Sequence, residues 1–417
     1  MADDHLRAEL AALRLEMDDK LTEASVKIFK LNEEMDLLAE ANELLREENI
    51  TLKAKLEERA GDAAFAALSL KEDAVPEALL TPGDNKLPAH EASVVEQAHV
   101  MNILSVGGHY FNPHLVASGG ADKYVKVHHW QTKAVVAAFD AGAPVLAVSF
   151  HPVETHANYL LASGMDGKHH VLRLDGDVAA ADAVLTHVQT FHDHNRQGNI
   201  RHVWLTTGFA FATAASDKAA HVYRAVDNDD SNVHFAIAKS YYFNGTVEAL
   251  AAVPARDDRA ELLVLAVRDD CYVHYVDCAT LEKTRLNMNV DGIEHVSYTI
   301  MDMQTSPSGD FLLVATDANR HFVVKVQSNV VLRNFYGHKA GSYSQPRVVW
   351  HASEKYVISN TEGDGGLVMW CVASERIVER IKAHEKLLRD IWYTQQAGGV
   401  DLLVTGSYDK SLKLWKD

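Results

Sequence analysis

The side chains most able to do chemistry in this 417-residue chain are its 23 histidines. They are densest in three segments, His128-His129, His169-His170 and His192-Asp193-His194. Successive side chains of a β-strand point to opposite faces, so an adjacent pair cannot hold one metal ion. His192 and His194 could share an ion, but the sequence places no third ligand beside them. The pattern therefore predicts structural or surface histidines and no metal.

Neither the cysteines nor the glycine-rich segments match a catalytic pattern. Cys271, Cys278 and Cys371 have no metal-finger spacing, and their odd number argues against a disulfide framework. They are therefore expected to be reduced thiols. Gly363-Asp364-Gly365-Gly366 lies in a turn between strands rather than between a strand and a helix, so it is not a phosphate loop. We expect no enzyme activity and no cofactor.

Three related segments each place an arginine three residues before a tryptophan. They are Ile200-Arg201-His-Val-Trp204, Pro346-Arg347-Val-Val-Trp350 and Leu388-Arg389-Asp-Ile-Trp392. In a chain of net charge −18, such arginines could form a local rim that binds an acidic segment of a partner. The alternative is that each arginine pairs with a neighbouring acid such as Asp390 or Glu385. The loop from Gly337 to Pro346, with Lys339 and Tyr343, is the best single candidate for contact with a partner.

These segments lie in a region of short β-type runs that begins near residue 92. One unit recurs there: an apolar strand, a step of small residues, an acidic turn and a second apolar strand. The turn residues are 44 to 53 residues apart and comprise Asp122, Asp166, Asp217, Asp270, Asn319, Asp364 and Asp409. Seven units at the period of a four-stranded blade predict an all-β, seven-bladed propeller.

The last unit resembles a WD40 repeat. It runs Ala383-His384, then Thr405-Gly-Ser-Tyr-Asp409, then Leu412-Lys-Leu-Trp415-Lys-Asp417. The resemblance implies a hydrogen-bonded set of His384, Thr405, Asp409 and Trp415. In the sixth unit it implies His338, Asp364 and Trp370, with Ser359 or Asn360 as their partner.

Other units depart from the WD40 pattern at the tryptophan position. The first unit has Asp122 but His128 in place of the tryptophan, the third has Tyr223 and the fifth has Lys325. Packing is expected to hold those blades more than hydrogen bonds do.

The ring is expected to be closed by residues near its start. The chain ends just after Leu412–Trp415, which would be the third strand of the last blade. Residues 93–97, Ser-Val-Val-Glu-Gln, supply a missing fourth strand and would remove a free sheet edge.

Residues 1–60 are predicted to form a long α-helical coiled coil ahead of the propeller. No proline or glycine occurs from Asp4 to Ala60, and leucines recur every seven residues. Asn42 and Asn49 at successive a positions favour a parallel dimer in register. The dimerisation residues are predicted to be Leu31, Leu38, Asn42, Leu45, Asn49 and Leu52. The alternative is a single charged helix that lies on the propeller.

The predicted domains are therefore a coiled coil (1–60), a flexible linker rich in proline and glycine (61–91) and the propeller (92–417). In layout alone this resembles lissencephaly-type dynein regulators, Groucho-type corepressors and striatins. The resemblance implies a homodimeric, non-catalytic scaffold that binds protein partners. The alternative function is the substrate-recognition subunit of a ubiquitin-ligase or chromatin-modifying complex.

The bulk properties limit the other classes of function. The net charge argues against broad binding to nucleic acid, and no apolar run is long enough to span a membrane. The acidic N-terminus, Met1-Ala-Asp-Asp4, lacks the features of a signal peptide. We expect a cytoplasmic or nuclear protein.

Overall fold

The structure is a computed structural model that describes residues 17, 20, 27 and 75–417. Within the last range it leaves out residues 85, 179–181, 196–197, 228–232, 257–258, 290–291, 342–344, 364 and 396–399. The chain divides into two units, Met1–Pro76 and Glu77–Asp417. In the first unit, Met17, Lys20 and Lys27 are helical and exposed. The predicted coiled coil and its dimerisation residues from Leu31 to Leu52 lie outside the described residues.

The described part of the second unit forms seven four-stranded antiparallel sheets, preceded by a short 3-10 helix, Glu77–Leu79. The first strand in the chain is β1 (His90–Val95). Blade one then holds β2 (Ile103–Gly108), β3 (Leu115–Gly120), β4 (Tyr124–His129) and β5 (Ala134–Asp140). Blade two holds β6 (Val145–Phe150), β7 (Tyr159–Gly164), β8 (His169–Asp175) and β9 (Val184–Phe191), with a 3-10 helix at Glu154–His156. Blade three holds β10 (Ile200–Leu205), β11 (Ala210–Ala215), β12 (Ala219–Asp227) and β13 (His234–Tyr242).

The remaining blades repeat this order. Blade four holds β14 (Val247–Val253), β15 (Leu262–Val267), β16 (Tyr272–Asp277) and β17 (Lys283–Asn287). Blade five holds β18 (Ile300–Thr305), β19 (Phe311–Thr316), β20 (Arg320–Lys325) and β21 (Val331–Tyr336). Blade six holds β22 (Val348–Trp350), β23 (Tyr356–Asn360), β24 (Gly366–Cys371) and β25 (Ile377–Lys382). Blade seven holds β26 (Leu388–Gln395), β27 (Asp401–Ser407) and β28 (Leu412–Lys416), to which β1 is added.

The core of the propeller lies between neighbouring blades. Every residue of β3 and of β15 is buried, since both faces of these strands are covered by adjacent sheets. Apolar and polar residues do not alternate along these two strands, which is typical of strands that are covered on both faces. Between blades one and two, Leu115 and Val127 share one apolar cluster with Val148 and Leu160. Sheet-on-sheet burial of this kind holds each blade in place.

The ring is closed by the N-terminal strand of the propeller. β1 pairs antiparallel with β28, with Ser93 opposite Leu414 and Val95 opposite Leu412. The strand begins at His90 and ends at Val95, whereas the sequence placed it at residues 93–97. Gln97 has a left-handed φ of 49°, which turns the chain out of the strand before it reaches the first blade.

The structure differs from the predicted flexible linker over residues 77–89. Leu79 is 0% exposed, and its carbonyl oxygen accepts hydrogen bonds from Nε and Nη2 of Arg333, both at 3.3 Å. Leu87 packs into the apolar cluster of blades six and seven beside Trp415. Gly83 lies against the ring of Tyr356, where a Cβ would be 2.1 Å from the hydroxyl oxygen. Two leucines and a close glycine contact anchor this segment despite its composition.

Among the described helices, none is long and apolar enough to cross a membrane.

Candidate functional site

Five innermost strands carry a β-bulge directly after their first paired residue, namely β2, β6, β14, β18 and β26. In β26 the bulged residue is Arg389, which falls between Leu388 and Asp390. β10, which carries Arg201, pairs without a bulge, and Arg347 precedes β22. The three predicted arginines therefore occupy different backbone environments, although their sequences look alike.

The residue after the bulge links neighbouring blades. Oδ2 of Asp390 accepts hydrogen bonds from the backbone N–H of Val106 at 2.9 Å and from the hydroxyl of Ser105 at 2.8 Å. Ser105 in turn accepts the backbone N–H of Val148 in blade two at 3.1 Å. Oδ2 of Asp302 accepts the N–H of Val348 in blade six at 3.2 Å. Side chains thus join innermost strands that do not pair with each other.

Arg347 lies between two of these carboxyl groups. Its Nη1 lies 3.2 Å from Oδ1 of Asp302, and its Nε lies 3.2 Å from Oδ1 of Asp390. Burial raises the pKa of Asp302 to about 7 against the opposing charge of Arg201, and burial also raises the pKa of Asp390. Pairing with an acid, the alternative considered for the arginines, therefore holds for Arg347. Asp390 contacts Arg347 and not its sequence neighbour Arg389.

Arg201 and Arg389 have uncharged hydrogen-bond acceptors. Nη2 of each donates to Oε1 of Gln345, at 3.1 and 3.4 Å, and Nε of Arg201 donates to the carbonyl oxygen of Glu248 at 3.1 Å. Burial, and then the charge of Arg389, lowers the pKa of Arg201 against the raising effect of Asp302, Asp390 and Glu248. Arg389 is 9% exposed, and its Nη1 has no partner among the described residues. Two buried cations therefore share one neutral amide.

A cavity of about 120 Å³ opens beside Arg389. We call it the Arg389 cavity, and it is lined by Lys339, Gln345, Pro346, Asn360, Glu362, Leu387, Leu388, Arg389 and Tyr408. Its volume is equivalent to roughly four water molecules, which is room for the end of one carboxylate side chain. Lys339 is exposed at its edge, so two cations face the space with Glu362 as the one carboxylate in the lining. Tyr343, predicted for the same loop, lies outside the described residues.

The four side chains named for blade seven form one hydrogen-bonded network. Nδ1 of His384 lies 2.9 Å from Oδ2 of Asp409, and its Nε2 lies 2.7 Å from Oγ1 of Thr405. Nε1 of Trp415 donates to the same Thr405 hydroxyl at 3.0 Å. Burial raises the pKa of Asp409, but hydrogen bonds from His384 and Ser411 outweigh this and hold the pKa well below its usual range. The carboxylate is therefore ionised where it anchors the turn.

Blade one has an equivalent network, although packing was expected to hold this blade more than hydrogen bonds do. Nδ1 of His99 lies 2.8 Å from Oδ1 of Asp122, and its Nε2 lies 2.8 Å from the hydroxyl of Ser118. Ser118 is also 2.8 Å from Nε2 of His128, so the imidazole takes the role of the tryptophan N–H. The sequence placed His128 at the tryptophan position, but did not predict that its imidazole would make the tryptophan's hydrogen bond. His128 follows Asp122 by six residues, as Trp415 follows Asp409.

Blade three repeats this arrangement with a tyrosine at the tryptophan position. Nδ1 of His194 lies 2.9 Å from Oδ1 of Asp217, and its Nε2 lies 2.9 Å from Oγ1 of Thr213. Tyr223 donates its hydroxyl to Oδ2 of Asp193 at 2.8 Å. Hydrogen bonds therefore hold this blade too.

In blade six, the described members of the predicted set, His338, Ser359 and Trp370, are not bonded to one another. Both ring nitrogens of His338 are without a partner among the described residues, and the ring stacks on His321 with centroids 3.7 Å apart. Ser359 is 3.0 Å from Nε2 of His321, while Trp370 donates to the carbonyl oxygen of Tyr336 at 2.9 Å. The hydroxyl of Ser359, which was expected to bond with His338, therefore bonds with His321 of blade five. Asp364 lies outside the described residues.

The described part of the chain holds no group of three or more histidine, cysteine, aspartate or glutamate side chains placed to bind a metal ion. Its three cysteines are free, and Cys278 and Cys371 are buried.

Comparisons with known proteins bear on the fold. Residues 379–416 match the WD40 family, described as WD domain, G-beta repeat. The chain also resembles the crystal structure of Chaetomium thermophilum Sqt1 bound to the N-terminus of the ribosomal protein L10. The identity is 15% and the TM-score 0.58, over 79% of this chain and 100% of that one. At this identity the likeness shows the fold alone. No curated protein gives a significant match.

Proposed function

We propose that this WD40-repeat β-propeller is a non-catalytic, dimeric scaffold that binds an acidic segment of a partner protein at the Arg389 cavity. The observation that carries the proposal is Arg389 itself. Its guanidinium is buried, its Nη1 has no partner among the described residues, and its one acceptor is the neutral amide of Gln345. An unsatisfied buried donor costs about 1–3 kcal/mol, and more when the group is charged. A carboxylate in the cavity would place a negative charge beside this guanidinium.

The surroundings of the cavity support an anionic ligand over a cationic one. Lys339 is exposed at its edge and would attract negative charge before contact. The like charge of Arg201 lies close enough to Arg389 to lower the pKa of Arg201. Asp302, Asp390 and Glu248 already oppose this repulsion at Arg201, and a ligand carboxylate in the cavity would add a negative charge on the side of Arg389. A fork-shaped guanidinium also suits the geometry of a carboxylate.

A non-catalytic role is consistent with the engagement of the buried carboxylates. Asp302 and Asp390 are each bound to a backbone N–H of another blade and to Arg347. These contacts join the blades and leave neither group free to act on a substrate. The likeness to Sqt1 supports the same role, since a propeller of similar shape was solved with the terminal segment of another protein. Dimerisation rests on the heptad pattern of residues 1–60.

The binding proposal can be tested on the full-length protein with three fluorescein-labelled decapeptides of alternating residues, Glu-Gly, Gln-Gly and Lys-Gly. Fluorescence anisotropy should show binding of the Glu-Gly peptide and none of the other two at the same concentration. The affinity should fall as the salt concentration is raised about sixfold from a low value, because charges partly exposed at the edge are screened. Equal binding of the Glu-Gly and Gln-Gly peptides would contradict the proposal.

A further inference from the structure

A second and larger cavity lies between the outer parts of blades three and four. Its volume is about 380 Å³. We call it the blade-four groove, and it is lined by Tyr242, Phe243, Asn244, Asp270, His274, Lys283, Thr284 and Arg285. None of these residues lines the Arg389 cavity. The groove is therefore a separate candidate site, and its ligand is independent of the proposed function.

Two cations line the groove from one strand. Lys283 and Arg285 occupy alternate positions of β17, so their side chains leave the same face about 7 Å apart along the strand. Nζ of Lys283 lies 4.6 Å from the ring centroid of Phe243, and Cζ of Arg285 lies 4.2 Å from that of Tyr272. Neither forms an ion pair with a carboxylate in the described part of the chain. The aromatic rings position the cations without neutralising their charge.

The carboxylate that faces the groove is already engaged. Oδ1 of Asp270 accepts the backbone N–H of Tyr272 at 3.0 Å, and its Oδ2 lies 3.0 Å from Nε2 of His274. The two unpaired cations therefore outnumber Asp270, the one carboxylate in the lining of the groove, and each oxygen of Asp270 already accepts a hydrogen bond.

We propose that the blade-four groove binds the phosphate monoester of a phosphorylated side chain on a partner protein. A phosphate monoester carries about −1.5 to −2 charges near pH 7 and three strong acceptor oxygens, so it can pair with both cations at once. A carboxylate carries one charge and would leave one cation unpaired. Tyr242, which is 73% exposed at the rim, offers a ring for the rest of the partner's side chain.

The test uses full-length protein and labelled pentapeptides, Gly-Gly-X-Gly-Gly, in which X is phosphotyrosine, phosphoserine or tyrosine. Fluorescence anisotropy should show binding of one or both phosphorylated peptides and at least tenfold weaker binding of the tyrosine peptide. A preference for phosphotyrosine over phosphoserine would assign the exposed ring of Tyr242 to recognition. Equal affinity for the phosphotyrosine and tyrosine peptides would overturn the proposal. So would competition by inorganic phosphate at the same concentration as the peptide, because the ligand would then be a free anion.

Variants connect the binding to this groove. Lys283→Gln and Arg285→Gln should each weaken the phosphopeptide affinity about tenfold or more, as expected for a lost charge-assisted hydrogen bond. The matched control is Arg376→Gln, which removes the same charge from an exposed position in blade six. Arg389→Gln should also leave this affinity unchanged, which separates the groove from the Arg389 cavity. Unchanged affinity in both groove variants would overturn the proposal. Circular dichroism melts verify that each variant is folded.

Discussion

Oδ2 of Asp390 in the last blade accepts a hydrogen bond from the backbone nitrogen of Val106 in the first blade, at 2.9 Å. This bond crosses the seam at which the two ends of the ring meet. β1 completes blade seven at the outside of the same seam. The ring is thus closed twice, by a strand at its outer edge and by a carboxylate at its innermost strands. Asp302 makes the same kind of link between blades five and six.

The first prediction concerns this inner link. Asp390→Ala should destabilise the propeller by about 3–5 kcal/mol, because it leaves the Val106 N–H and one side of Arg347 without a partner. Asp390→Asn keeps an acceptor oxygen and should cost less. Urea unfolding of both variants measures the difference, with the exposed Glu282→Ala as control. If Asp390→Ala unfolds at the same urea concentration as the control, the link does not contribute to stability.

Asp409→Ala should lower the melting temperature more than Asn319→Ala. The Asp409 carboxylate joins His384 and Ser411 in a buried network, whereas the Asn319 amide accepts one backbone N–H, from Ala340 at 2.6 Å. Thermal melts of the two variants side by side provide the comparison. Equal decreases in the two melting temperatures would mean that the Asp409 network stabilises the propeller no more than the single hydrogen bond of Asn319 does.

Stability should fall as the pH is lowered from about 7 to about 5. Burial lowers the pKa of His128, of His151 and of His202 to about 3, so the unfolded chain binds more protons than the folded chain below pH 6.5. Stability that depends on these neutral rings is present above pH 6.5 and is lost progressively toward pH 3. Melting temperatures across this range measure the fall, and a melting temperature that rises on acidification would contradict this prediction.

The carboxyl group of Asp302 changes the stability in the opposite direction over the same pH range. Its folded pKa of about 7 lies above the ordinary 3.8, so the folded state holds an extra proton between these values and this contribution is lost as the pH rises. Asp302→Asn removes the opposing contribution. The fall in stability on acidification should therefore be steeper in this variant than in the unaltered protein, and a shallower fall would rule out the raised pKa.

The heptad pattern predicts that the full chain is a dimer and that residues 77–417 alone are a monomer. Light scattering should give twice the chain mass of 46.0 kDa for the full chain. The fragment begins at residue 77 because Leu79 and Leu87 pack on the propeller. A full-length mass of 46.0 kDa, or a dimeric fragment, would contradict the assignment of dimerisation to residues 1–60.

The blade period could be predicted from the spacing of the turns, and the blade-seven network from the resemblance of that unit to a WD40 repeat. The acidic turns recur with each blade, and Asp409 and Trp415 are six residues apart. The same offset placed His128 at the tryptophan position of blade one, but its hydrogen bond was not predicted, because this required an imidazole nitrogen to replace an indole N–H. The buried position of Leu79 could not be predicted from the composition of residues 77–89. It depends on a contact with Arg333, which is 254 residues away along the chain.

The roles of the three arginines could not be predicted from their sequences. Arg389 lies in a β-bulge of β26, whereas Arg201 lies in β10, which has no bulge, so their backbones differ. Whether a bulge forms depends on the pairing with the partner strand. Whether an arginine is neutralised is decided by residues of other blades. Asp302 reaches Arg347 from blade five, whereas Gln345 is the shared acceptor of Arg201 and Arg389.

The affinity ratio between the unaltered protein and Arg389→Gln for the labelled Glu-Gly decapeptide tests the central proposal most directly. Loss of a buried charge-assisted hydrogen bond should weaken binding about 10- to 100-fold. Arg376→Gln, which removes an exposed charge from blade six, should weaken binding less than about twofold at physiological salt. Equal affinities of Arg389→Gln and Arg376→Gln, with both variants folded, would contradict the assignment of partner binding to the Arg389 cavity.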